Sequence, residues 1–164
     1  MSFPALLLWL LFLAGCNDEA VQFNDTLVSA SNKCETSITK MYDEENLDDT
    51  LLSSVMEICL SSLQTVEKFE VIEGGENFKD EIIRYLKMEI EYLGDLQTLY
   101  PLLQKEDFSE DDMVQYQTLA DKLTQYEALI EERFPKIEEA QKKFAEENHI
   151  ILSGEKNELS MKKS

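Results

Sequence analysis

The chain has 164 residues, and its 34 Asp and Glu outnumber 15 Lys and Arg, for a formal net charge of -19. So acidic a chain is excluded as an ordinary nucleic-acid binder, because neutralising phosphates takes clustered Lys and Arg. It is also repelled by an anionic membrane surface unless something tethers it.

The first element is an apolar run without a charged side chain, Phe3 to Leu13, which ends in Leu13-Ala14-Gly15-Cys16. The run is too short to span a bilayer, which takes about 20 residues, and it has the length of a signal-peptide core. The Leu-Ala-Gly-Cys ending resembles the lipobox of bacterial lipoproteins at all four positions. No Lys or Arg precedes the run, which departs from the usual positive n-region. The resemblance implies a lipoprotein signal peptide over residues 1–15, cleavage before Cys16, and lipidation of Cys16. It also implies a membrane partner, reached through that lipid. Asn17 follows the Cys where an Asp commonly signals retention in the inner membrane, so the resemblance implies the outer membrane, on its periplasmic face or at the cell surface. Residues 16–22 read as the lipidated Cys and a polar tether.

Four amphipathic helices follow. The first is expected from about Phe23 to Glu44, with Leu27, Val28, Ala30, Cys34, Ile38 and Met41 on its apolar stripe. Asn46-Leu47-Asp48-Asp49 breaks it, and Asp48 or Asp49 caps the next start. The second is expected from about Thr50 to Glu73, with Leu52, Val55, Met56, Cys59, Leu63, Val66 and Phe69 inward, ended by Gly74-Gly75. The third runs from about Asn77 to Gln104 and is the most periodic. Phe78, Tyr85, Tyr92 and Leu99 recur every seven residues, flanked by Ile82, Leu86, Leu93, Leu96 and Leu103. Pro101 predicts a kink or an early stop. The fourth starts after Phe108, with Ser109 as N-cap and an acidic first turn. Met113, Tyr116, Leu119, Ala120, Leu123, Tyr126 and Ile130 are expected to face inward. Pro135 is expected to kink or break this helix before Lys136 to Glu147, and Ile150-Ile151-Leu152 adds a last apolar contact.

Long helices with short connections predict an all-α fold, an up-down-up-down antiparallel four-helix bundle over residues 23–152 with a long, Pro-kinked fourth helix. Residues 153–164 read as a disordered polar tail. With Cys16 assigned to lipid, Cys34 and Cys59 remain. They lie equally far from the turn between the first two helices, so an antiparallel hairpin puts them at one level, and an oxidising compartment favours a disulfide.

No motif names a reaction. His149 is the single His, with no Glu three residues before it, so the Glu-x-x-His pairs of di-iron bundles are missing. Neither a Cys-x-x-Cys-His haem motif nor a glycine-rich phosphate loop occurs. The expectation is a protein without catalytic residues, metal site or cofactor. The tyrosines read as core or boundary residues, with rings in and hydroxyls out. If the chain is anchored at its N-terminus, the end distal to the anchor holds the two turns near residues 43–50 and 104–112. These carry Asp43, Glu44, Glu45, Asp48, Asp49, Glu106, Asp107, Glu110, Asp111 and Asp112, against Lys105 alone. They predict an acidic tip for a basic protein partner. The alternative expectation is a carrier or sensor that holds a small apolar ligand in the bundle core.

A second resemblance lies near the C-terminus. Ile137 to Leu152, I-E-E-A-Q-K-K-F-A-E-E-N-H-I-I-L, is similar to the closing A-Q-x-x-F-A-x-x-x-x-I of a family of small helical surface lipoproteins. It covers about a tenth of the chain, and it assigns no residue a role.

Overall fold

The computed structural model describes residues 18–43 and 47–152. The expected signal peptide, Cys16, Glu44, Glu45 and the expected tail therefore lie outside the described residues. Four helices follow in order: α1 (Asp18–Asp43), α2 (Asp49–Lys68), α3 (Glu76–Leu103) and α4 (Glu110–Glu147). The fold is an all-α antiparallel four-helix bundle, and no strand occurs among the described residues.

Cross-helix pairs fix the directions. Lys87 reaches Glu67 at 3.2 Å and Gln97 reaches Ser53 at 3.2 Å, so α2 and α3 run antiparallel. Lys122 to Asp95 at 2.7 Å and Arg133 to Glu81 at 2.8 Å do the same for α3 and α4. Phe23 meets Phe78 near one end while Tyr42 meets Tyr92 towards the other, so α1 and α3 run parallel. The backbones of α1 and α2, α2 and α3, and α3 and α4 pack closely. Those of α1 and α4 stay further apart and are bridged by side chains.

Cys34 and Cys59 form a disulfide with Cα atoms 4.6 Å apart. Both residues are completely buried, at one level of the α1–α2 hairpin, as their matched distance from the turn requires. In the chain-entropy picture, a loop of 25 residues closed this way contributes about 3.5 kcal/mol.

The end of the bundle where α1 begins is built on aromatic rings. Phe23 lies 5.1 Å from Phe144 and 6.0 Å from Phe69, centroid to centroid, and Phe78 lies 5.9 Å from Phe144. This cluster corrects the expected tether. Asp18 to Gln22 are helical, because burying Ala20 and Phe23 anchors the first turn and Asp18 and Glu19 suit its dipole.

The second helix also ends earlier than expected, at Lys68 instead of Glu73. The Lys79 ammonium donates to the carbonyls of Glu67 at 3.0 Å and Phe69 at 2.7 Å, so a buried lysine from α3 satisfies the end of α2. Phe69 then turns its ring onto Phe23. Gly74 takes the positive φ of 78° in the connection. A Cβ on Gly75 would sit 2.8 Å from the Phe23 ring, so only glycine fits there.

Both prolines sit inside helices. Pro101 falls in the last turn of α3, which continues to Leu103, so no early stop occurs. The expected break at Pro135 is also absent, since α4 is a single helix of 38 residues. Pro135 and Glu131 are exposed, so the carbonyl that loses its partner faces water, while Ile130 and Ile137 on the inner side stay buried.

Two further inward expectations fail. Leu103 is exposed and Leu102 is buried in its place, and Met113 is exposed. The first buried residue of α4 is Leu119 and Tyr116 already packs against the core, so only the first turn lies beyond it.

Candidate functional site

The two acidic turns do share one end of the bundle. The Tyr100 hydroxyl donates to the Leu47 carbonyl, which fastens the last turn of α3 to the α1–α2 turn. The described acids divide into two groups. Asp48 caps α2, its carboxylate accepting from the Leu51 amide at 2.7 Å. Asp112 closes a capping box with Ser109 and takes the Lys105 ammonium at 2.5 Å. The Lys105 hydrogen bond first, and those from Ser109 next, hold the Asp112 carboxyl down at about 2. These two acids are spent on structure. Asp43, Asp49, Glu106, Asp107, Glu110 and Asp111 are exposed, and none is in an ion pair among the described residues.

Apolar side chains sit among them. Leu103, Phe108, Met113 and Val114 are all exposed, and the Phe108 ring packs edge-on against Tyr116, 6.3 Å away. The sequence pattern placed Leu103 and Met113 inward, so this mixed acidic and apolar surface was not expected.

A second cluster is buried where α1, α3 and α4 meet, and the sequence reading missed it. On α3, Glu81, Tyr85, Glu89 and Tyr92 follow one another at helical spacing, and all four are buried. Glu81 is satisfied by Arg84 at 3.0 Å and Arg133 at 2.8 Å. Glu89 is 5% exposed. Burial pushes its carboxyl up to about 7, with the Glu35 charge adding to the rise. The Tyr85 hydroxyl lies close enough to oppose that rise, without closing a hydrogen bond of good geometry. Tyr85 is wholly buried, so its hydroxyl is inside, against expectation, and burial first and Glu89 next raise it well above the usual phenol range. The hydroxyls of Tyr42 and Tyr92 bond to each other. Burial is the main cause that raises both, with Glu127 and Glu89 adding. The signal for this cluster was present in sequence: Glu81 and Glu89 stand four residues either side of Tyr85, on the face already assigned to the core.

Chemically, this seam can store protons and resist ionisation. Among the described residues no group of three or more His, Cys, Asp and Glu is placed to hold a metal ion.

A groove of about 670 Å³ lies between α1 and α2, lined by Val21, Asp25, Thr26, Ala30, Lys33 and Ser61 among others, so its walls mix apolar, hydroxyl and charged groups. It lies outside the bundle core, where the alternative expectation placed a ligand.

No protein-family model matches the chain, and no curated protein or solved structure matches it. Among the described residues no helix is long and apolar enough to cross a membrane.

Proposed function

We propose that the chain is a bacterial lipoprotein, lipidated on Cys16, held at the outer membrane, and working as a protein-interaction module. The observation that carries this reading is a polarity of the bundle. Leu13-Ala14-Gly15-Cys16 has the form of a lipobox, and α1 begins at Asp18, two residues later. A lipid there would hold one end of the bundle at the membrane, since two residues span about 7 Å at most. The acidic and apolar turn lies at the other end of α3, a helix of 28 residues and thus about 42 Å. The chain would then present that turn to partners away from the bilayer. The Cys34–Cys59 disulfide agrees with an exported protein, since cytosolic thiols are kept reduced. The reading assigns the chain no reaction and no cofactor.

Mass spectrometry of the mature N-terminus is the test of the anchor. The expected product is an acylated peptide that begins at Cys16, and Cys16→Ala should remain unprocessed. Normal processing and localisation of Cys16→Ala would overturn the anchor. Protease shaving of intact cells then decides the face of the membrane, and crosslinking from the α3–α4 turn identifies the partner protein. If crosslinks at the turn match those at the lateral faces of the bundle, the turn is not the module's working surface.

A further inference from the structure

Four of the nine large hydrophobic residues exposed among the described residues lie within twelve positions of one another, from Leu103 to Val114. Met113 is 56% exposed and Val114 is 67% exposed. Scattered apolar residues on a surface need no explanation, but four exposed within one turn and the helix start that follows it are more than scatter and suit a binding surface. The segment that carries it is already rigid. Ser109 and Asp112 close the capping box, Lys105 ties the turn to α4, and Tyr116 braces Phe108. The start of α4 is therefore helical and fixed while Met113 and Val114 stay exposed, which lowers the ordering cost of binding.

The charge around the patch selects the occupant. Glu106, Asp107, Glu110 and Asp111 lie in the same turn, and Asp43 and Asp49 lie at the adjoining turn. Against these six acids stand Lys105, engaged by Asp112, and Lys40 in the last turn of α1. An acidic partner, an anionic lipid surface or a second copy of a chain with net charge -19 would bring like charge to this patch. We propose that the α3–α4 turn docks a Lys- and Arg-rich amphipathic helix of a partner protein, apolar stripe on Phe108, Met113 and Val114 and basic flanks on the surrounding acids. This names the partner for the interaction-module reading, on which it rests, and it does not depend on the lipid.

The test uses the full chain in a mild neutral detergent and three labelled synthetic helices. One has a Leu stripe with Lys flanks, one keeps the Lys but replaces Leu by Ser, and one pairs Leu with Glu. Fluorescence anisotropy should give the Leu/Lys helix an affinity at least about tenfold above the other two, a gap of about 1.4 kcal/mol. Met113→Ser with Val114→Ser should weaken it about tenfold or more. Leu129→Ser, at an exposed apolar position elsewhere on α4, should leave it unchanged, and Glu110→Gln with Asp111→Asn should flatten its salt dependence. Because the substituted residues are exposed, an unchanged circular dichroism spectrum is expected of each variant. Equal binding of the Ser/Lys helix would reduce the effect to plain charge attraction and overturn the proposal, as would an unchanged affinity in the Met113 and Val114 variant. Self-association lost in that variant and not competed by the Leu/Lys helix would assign the patch to a second copy. Binding to anionic vesicles through the same residues would assign it to a membrane. Either result overturns the proposal. A failed crosslinking search with a bound Leu/Lys helix would instead count against the module reading alone.

Discussion

Replacing Glu89 by Gln separates the cost of a buried charge from every other acidic effect in the bundle. The Glu89 carboxyl has a pKa of about 7 in the fold, against an ordinary value of 4.5, chiefly because burial disfavours its charged form. A carboxyl whose pKa is raised on folding binds more protons in the native state than in the unfolded one. Stability therefore falls as pH rises from the ordinary carboxyl range through 7 and levels off above it. Integrating between those two pKa values gives a loss of about 3 kcal/mol by pH 8, most of it between pH 5 and 7. Gln has nearly the same shape and no charge, so Glu89→Gln should match the wild type near pH 4 and exceed it by up to about 3 kcal/mol at pH 8. Urea unfolding of the chain without its apolar N-terminal run, disulfide intact, at pH steps from 4 to 8 measures both curves. General repulsion among the surface acids cancels in the difference. Parallel curves would refute the reasoning and would mean that Glu89 is solvated or shares its charge with a partner.

Cys34→Ser with Cys59→Ser should lower stability by about 3.5 kcal/mol, and a non-reducing peptide map of the wild type should show the linked pair. Gly75→Ala forces a methyl against the Phe23 ring and should cost about 1–3 kcal/mol, read as a drop in thermal midpoint. At the tip, Ser109→Ala should cost about 1 kcal/mol through the lost cap, whereas Glu110→Gln with Asp111→Asn should move the midpoint less, because relief of repulsion at low salt opposes the lost attraction to the helix dipole. Equal effects from those two changes would mean that cap and border acids do the same job.

Helix number, direction and the Cys34–Cys59 pairing were legible because they depend on local periodicity and on counting from a turn. Ser109 declared itself as a cap for the same reason, and the cap of α2 was narrowed to Asp48 or Asp49, of which Asp48 takes the role: both caps serve amides within three residues. The features that escaped depend on side chains far away in sequence. Glu81 is buried because Arg133 arrives from α4 to neutralise it, and Lys79 is buried because the end of α2 offers it carbonyls. Glu89 had a readable position on the core face, but nothing local says that an acid there stays inside. The exposure of Met113 has another origin. Its spacing is inward, but α4 outruns the helices that would cover it, and no periodicity within one helix reports the length of its neighbours.

The parallel course of α1 and α3 also decides how the bundle carries force. A pull between the first turn of α1 and the α3–α4 turn acts along the helix axes, so it loads the helix pairs in shear over their whole length. Phe23 on Phe78 and Phe144 grips one end, Tyr42 on Tyr92 grips towards the other, and the Cys34–Cys59 bond stops α1 from sliding along α2 between them. Across the axis the molecule is weaker, because α1 and α4 are joined by side chains such as Gln141 on Asn24 at 2.8 Å and not by close backbones. The bundle is a strut along its length and a seam across it, stiff towards a load drawn away from Asp18 and compliant towards one applied from the side.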